Sequence, residues 1–377
     1  MSIGLYDIDF MTYIHVPFNL TLMKLAAYYK KKREVVVLAP YLEPERYQKM
    51  YVVKDYFDGN FDRRILESNV IYSGHAFTKD FYSAMAPEIE IMKPDKYLYH
   101  KYDKMFCINK SKESLFKTMT NAEHIRLSLD NKTIWPGYKK TYSFSPTTRA
   151  VIFHDYNIAS LENGYETVKE IISEMNQNWF HGPLLGAKFP IQVSTPEDLF
   201  NWMDFKAMDI FYNIQYNNLM SDELVNETVQ RFPMNSKKMW YNVTSTSYNE
   251  NHFSKEVLPK IFRQALFFRT HHIPILLKYD DNFFKDERWE RVIKLINGYV
   301  SMNNRAPKKE GFRDFSRTFT MFRYVTSKNL VEAPSSDWTI EELRDLFQFV
   351  REESYETFKM FYESCLMEYK GGKINDI

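Results

Sequence analysis

Cysteine is nearly absent from this chain of 377 residues; Cys107 and Cys365 are the only two, and they lie far apart. Two thiols exclude a disulfide framework and a cysteine-rich zinc module, and they suit a reducing compartment. Glycine is scarce as well, at 11 residues. Few loops can therefore bring backbone amides close to a phosphate, and neither Gly-x-x-x-x-Gly-Lys-Ser/Thr nor Gly-x-Gly-x-x-Gly occurs. An excess of charge of one sign is lacking: 50 Lys and Arg face 49 Asp and Glu, for a net charge of +1. That balance argues against a broad nucleic-acid-binding surface and leaves only a local basic groove open. No apolar run approaches the roughly 20 residues that span a bilayer. Met1, Ser2, Ile3 and Gly4 begin no basic region followed by an apolar core. A cytoplasmic protein without signal peptide or membrane span is the expectation. Asn-x-Ser/Thr matches, those at Asn19, Asn131, Asn226 and Asn242 among them, carry no weight without secretion.

Hydrophobic residues make up 44% of the chain, enough for a sizeable core. The length suits two ordinary domains, or one barrel-sized domain with an extension. The aromatic share of 17% fits a Lys/Asn/Tyr/Phe-rich coding bias and is not read as function.

The first stretch alternates strand and helix. Residues 3–8 read as a buried strand and residues 19–32 as an amphipathic helix, with Leu22, Leu25, Ala26 and Tyr29 on one face and basic charge at its C-terminal end. Residues 34–38, 49–53 and 69–72 read as further strands, and this spacing predicts a parallel sheet with right-handed crossovers. Residues 87–102, with Pro87, Pro94 and several tyrosines, read as an irregular connection, 105–108 as a short apolar strand, and 137–146 as a loop. Strands are then predicted at 151–153, 188–193, 210–215, 239–244 and 273–279. Helices are predicted at 161–175, 196–202, 222–231, 255–269 and 284–302. This repetition suggests a partial or full (β/α) barrel, with an open doubly wound sheet as the alternative. Thr339 and Glu342 have capping-box spacing at the start of a long C-terminal helix, whose broad apolar face is expected to pack on the same chain.

Three pieces, in order, resemble one family. Gly4-Leu5-Tyr6-Asp7-Ile8-Asp9 followed by Phe18-Asn19-Leu20-Thr21-Leu22-Met23-Lys24-Leu25-Ala26-Ala27-Tyr28 resembles the N-terminal layer of radical-SAM proteins that carry a cobalamin-binding-like domain. Pro87-Glu88-Ile89-Glu90 with Pro94-Asp95-Lys96-Tyr97-Leu98-Tyr99 resembles their Pro-rich connector, and the strand ends at 155–157, Gln192 and 278–280 fall where their barrel strands lie. The resemblance implies an α/β fold: a Rossmann-like parallel sheet over 1–103, a barrel over 104–305 and a helical extension over 306–377. It also exposes departures. The family's Cys-x-x-x-Cys-x-x-Cys binds a four-iron cluster through soft thiolates. With 105–108 as the first barrel strand, those positions fall at Ser111, Leu115 and Thr118, none of them a thiolate. The Gly-Gly-Glu-like motif is replaced by His154-Asp155-Tyr156-Asn157. The cobalamin pattern Asp-x-His-x-x-Gly fails, because Asp7 is followed by Asp9 and Thr12. No cofactor is expected.

Candidate ligand-binding residues come from strand alternation, which places Asp155, Asn157, Asn213, Asn242, Lys278 and Asp280 on faces shared with apolar residues, near the carboxyl ends where barrels bind ligands; Gln192 joins them from the resemblance. The competing reading is a set of solvated strand ends or a buried polar network. His271 and His272 are adjacent and point different ways, so no metal site is assigned. Basic residues interleave with aromatics at Trp135-Pro136-Gly137-Tyr138-Lys139-Lys140 and around Lys308, Lys309, Phe312, Arg313, Phe315 and Arg317, a pattern that can bind single-stranded nucleic acid but better suits a solvated loop. The expectation is a non-catalytic binding or regulatory protein with an unidentified protein partner. A virus or mobile element is a plausible source. A non-redox enzyme is the alternative, with Asp155 or Asp280 as general base and Lys278 as electrostatic stabiliser acting on a nucleotide-like or other small substrate.

Overall fold

A computed structural model describes residues 2–12, 17–55, 62–74, 85–102, 110–175, 183–205, 212–232, 238–243 and 275–279, together with single positions between 260 and 273. For 110–115, 238–243 and 275–279 the backbone alone is described. The chain divides into two compact units. One comprises Met1–Gln192 and Asn201–Asn213, the other Val193–Phe200 and Ile214–Ile377.

The first unit opens with β1 (Ser2–Asp7), a short α1 (Ile8–Thr12) and α2 (Leu20–Lys31). Asn19 starts α2 by accepting the Leu22 amide on its side-chain oxygen at 3.1 Å, which satisfies one of the orphan donors of the first turn. The helix ends where Arg33 takes a left-handed φ of 65°. β2 (Val35–Leu38), β3 (Lys49–Val53) and β4 (Val70–Ser73) complete a parallel sheet of order β2-β1-β3-β4. That order reverses between β1 and β3, as in doubly wound folds, so the predicted parallel first sheet is present with a switch point. Ile3, Leu5 and Val53 bury one face against Leu22, Leu25 and Ala26 of α2, while Met50 and Val52 bury the other against Leu42 and Ile65.

The connection 87–102 is more ordered than its prolines suggest. It contains α3 (Pro87–Glu90) and a 3-10 helix, Lys96–Tyr102, that buries Leu98, Tyr99 and Tyr102. α4 (Lys110–Asn121) and β5 (Glu123–Ile125) follow, then β6 (Ala150–Phe153), α5 (Gly164–Glu174) and β7 (Leu184–Ala187). β5, β6 and β7 form a parallel sheet in chain order. Tyr99, Phe116 and Ile152 belong to the same hydrophobic cluster as α2 and β1, so both sheets of this unit share a core.

β8 (Ile191–Val193), α6 (Pro196–Asp204), β9 (Asn213–Tyr216), α7 (Asp222–Arg231), β10 (Lys238–Val243) and β11 (Ile275–Tyr279) come next, and β11-β10-β9-β8 again follow chain order. Of the strand predicted at 188–193 only 191–193 is strand; 188–190 connect β7 to β8, and Pro190 has no amide to donate to a ladder. The predicted strand 105–108, most of helix 255–269, helix 284–302 and the extension 306–377 lie outside the described residues. Among the described residues no helix is long and apolar enough to cross a membrane.

A candidate site at the carboxyl ends of the strands

In the first unit, apolar strands deliver polar residues at their carboxyl ends. β1 ends on Asp7, β3 runs into Lys54 and Asp55, β5 into Arg126, β6 into His154 and Asp155, and β7 into Lys188, all buried. Asp7 accepts the Phe10 amide at 3.0 Å and the Tyr99 hydroxyl at 2.5 Å, and the same tyrosine oxygen accepts the Asn19 amide at 3.0 Å. Asp9 accepts the Asp55 amide at 2.6 Å. The Asp55 carboxylate takes Asn19 Nδ2 at 2.9 Å and an ion pair from Lys188 Nζ. Burial pushes Asp7 upward and raises Asp9 to about 7, with Lys188 opposing the rise in both. Gly74, at φ 116°, ends β4 beside this cluster; a Cβ there would stand 2.3 Å from the Lys54 carbonyl oxygen.

A second group lies along α2. Lys24 donates to the Glu90 carbonyl at 2.6 Å and to its carboxylate at 2.9 Å, while Arg126 reaches Thr21 at 3.1 Å and Glu90 at 3.5 Å. Burial lowers Lys24 to about 8. His124 Nδ1 meets His154 Nε2 at 2.9 Å, and His124 Nε2 meets the Met119 carbonyl at the same distance. A carbonyl only accepts, so His124 carries its proton on Nε2 and His154 donates to it. Burial holds His124 down at about 4 and His154 well below its ordinary range.

The residues predicted from sequence separate in this setting. Asp155 accepts the Leu127 and Ser128 amides at 2.8–3.0 Å, which tie down the loop after β5. Burial nevertheless lifts it to about 6. Asn157 and Gln192 are brought together: the Asn157 side chain donates to the Gln192 carbonyl at 3.3 Å and accepts its amide at 3.0 Å. Asn213 lies on β9 with its side-chain oxygen buried and, among the described residues, without a hydrogen-bond partner, and the same holds for Gln215 two residues on. Asn242 and Lys278 pair in register on β10 and β11. Asp280 lies outside the described residues, as do His271, His272 and the basic segment from Lys308. Ser111, Leu115 and Thr118 fall along α4, ahead of β5. The loop after β5, residues 126–149, contains no cysteine. The Trp135–Lys140 segment folds as a 3-10 turn, with Tyr138 buried and Gly137 closed against the Trp135 ring.

Sequence reasoning missed Asp55, Lys188 and Tyr99 in the first group and Glu90, Arg126 and His124 in the second. The available signal was a charged residue directly after an apolar strand, as in Val52-Val53-Lys54-Asp55 and Gly186-Ala187-Lys188. Among the described residues no group of three or more His, Cys, Asp or Glu is arranged to hold a metal ion. Compared with known protein families, curated proteins and solved structures, the chain matches none of them.

Proposed function

We propose that this is a radical-SAM-like protein that has left redox chemistry behind and works as a cytoplasmic binding or regulatory protein, encoded by a virus or mobile element and acting on a protein partner. In this reading the first sheet is the cobalamin-binding-like layer, the strands from β5 onward wind as a (β/α) barrel, and residues 306–377 form a helical extension. The chain-order succession of β5 to β7 and of β8 to β11 supports the winding, since a doubly wound sheet reverses at a switch point as the first sheet does.

One observation carries the functional part. In doubly wound folds ligands enter at the carboxyl ends flanking the switch point. Here that place, between β1 and β3, is filled by the chain's own side chains: Tyr99 on Asp7, Asn19 and Lys188 on Asp55, and Phe18 stacked on Tyr99 at 4.2 Å. A first layer closed in this way shifts ligand capture to the second. The test is capture from lysate of the native host cell, with mass spectrometry of proteins and small molecules, using wild type, Lys278→Ala and Asp155→Ala beside thermal melts. A captured species lost with Lys278→Ala at an unchanged melting temperature supports the reading. Capture indifferent to both substitutions, with normal melts, removes the barrel-mouth site.

A non-redox enzyme remains the second reading, favoured by the near-neutral carboxyls of Asp155 and Asp9, in the range a general base uses. Turnover of nucleotide-like substrates that disappears in Asp155→Asn, with the fold intact, would select it.

A further inference from the structure

We infer that one face of β9 is a ligand-reading strip, on which Asn213 and Gln215 offer two buried amide oxygens to the N–H groups of a small, neutral, planar ligand. The inference rests on the reading that the second layer captures a ligand, and it names the chemistry of that ligand.

Side chains alternate along a strand, so Tyr212, Ile214 and Tyr216 point to one side and Asn213 and Gln215 to the other. The first side is the packed one. Tyr212, Ile214 and Tyr216 are all buried, and the Tyr212 hydroxyl donates to the Trp202 carbonyl of α6 at 2.5 Å. The amides therefore occupy the face turned away from the crossover helix that leads into β9, the face that lines the interior when strands that follow one another in chain order wind as a barrel.

Gln215 is 4% exposed, yet its oxygen has no partner among the described residues. Its Nε2 donates to Asn217 Oδ1 at 2.9 Å, and the Asn217 backbone is held by the Val193 carbonyl at 2.9 Å. Turning the Gln215 amide over would set oxygen against oxygen, so its acceptor stays on the unpartnered side. The Asn213 oxygen likewise has no partner among the described residues. Buried polar atoms are satisfied in the great majority of cases, and an inert strand would carry Leu or Met here at similar volume and without the desolvation cost. Two orphaned acceptors on one face of one strand mark the place of missing donors.

Both orphans are acceptors, so the ligand brings donors. Both are uncharged carboxamides, which match a neutral N–H group better than an ammonium, whose burial would call for a carboxylate. A primary carboxamide and an aminated nucleobase share this chemistry.

The experiment titrates the full-length chain with nicotinamide and with adenosine by calorimetry, each beside its N,N-dimethylated analogue, which lacks the donors. Saturable binding of one probe, weakened at least tenfold by dimethylation and by Gln215→Met, is the expected result. Gln215→Met, and separately Asn213→Leu, should melt above wild type without ligand because each removes an orphaned acceptor. Asn213→Leu also serves if Gln215→Met does not fold. The inference fails if neither probe binds, if the dimethylated analogues bind equally well, or if both variants melt below wild type, as they would with a buried water on those oxygens. A partner captured from lysate equally well by wild type and Gln215→Met would sink this inference while leaving the binding-protein reading in place.

Discussion

Replacing Lys188 with Met removes the ammonium that faces Asp55 while keeping most of the side-chain volume. Both residues are almost fully buried, at 6% and 1% exposure. Removing one partner of a buried ion pair leaves an uncompensated charge, which costs about 3–5 kcal/mol. Asn19 Nδ2 still donates to Asp55 at 2.9 Å, so the lower half of that range is expected. Lys188→Met combined with Asp55→Asn removes both charges and should recover most of the loss, giving a large coupling energy in a double-mutant cycle. Urea unfolding of wild type, both single variants and the double variant supplies the numbers. Additive single effects with no recovery in the double variant would refute the argument.

Asp9 lies at about 7 in the fold against an unfolded value near 4, so its contribution is full below pH 4 and lost as pH rises through 7. Asp9→Asn should gain on wild type between pH 5 and 8 by at most about 4 kcal/mol, at ~1.4 kcal/mol per pKa unit; parallel curves in urea melts would show that Asp9 is not so held. His124 runs the opposite way. Its folded value of about 4 lies below the unfolded ~6.5, so stability is lost as pH falls between those values, by about 3 kcal/mol at most. His124→Gln should flatten that limb in denaturant titrations, and an unchanged acid limb would count against a neutral buried pair. Hydroxocobalamin should not acquire a histidine ligand from the first layer. A shifted spectrum that disappears in His15→Ala would show otherwise.

Much of the scaffold was legible because its signals are local. β3 and α7 match the predicted 49–53 and 222–231 residue for residue, since the first is an apolar-rich run and the second a capped amphipathic period beginning after Ser221. β5 was not legible. Glu123-His124-Ile125 has no apolar run, and its polar side chains are buried through partners distant in sequence, Lys96 for Glu123 and His154 for His124. Residues 87–102 mislead for a similar reason, because their prolines signal a loop while Tyr99 supplies the hydroxyl that closes the switch point. Asp155, Asn157 and Asn213 were identifiable as polar groups at strand positions. Their roles were not, because those depend on which backbone amides the fold brings to each side chain. The Lys188–Asp55 pair spans 133 residues of sequence, and no pattern in either segment announces the other.

The proposal that this chain is radical-SAM-like and works without a cluster is tested most directly by iron content after anaerobic reconstitution. The loop after β5 and the α4 positions Ser111, Leu115 and Thr118 offer no thiolate, and a four-iron cluster needs at least three from the protein. The account predicts iron well below one atom per chain, with no absorption band near ~400 nm of the kind that thiolate-held clusters give. Close to four irons per chain, with that band, would contradict it.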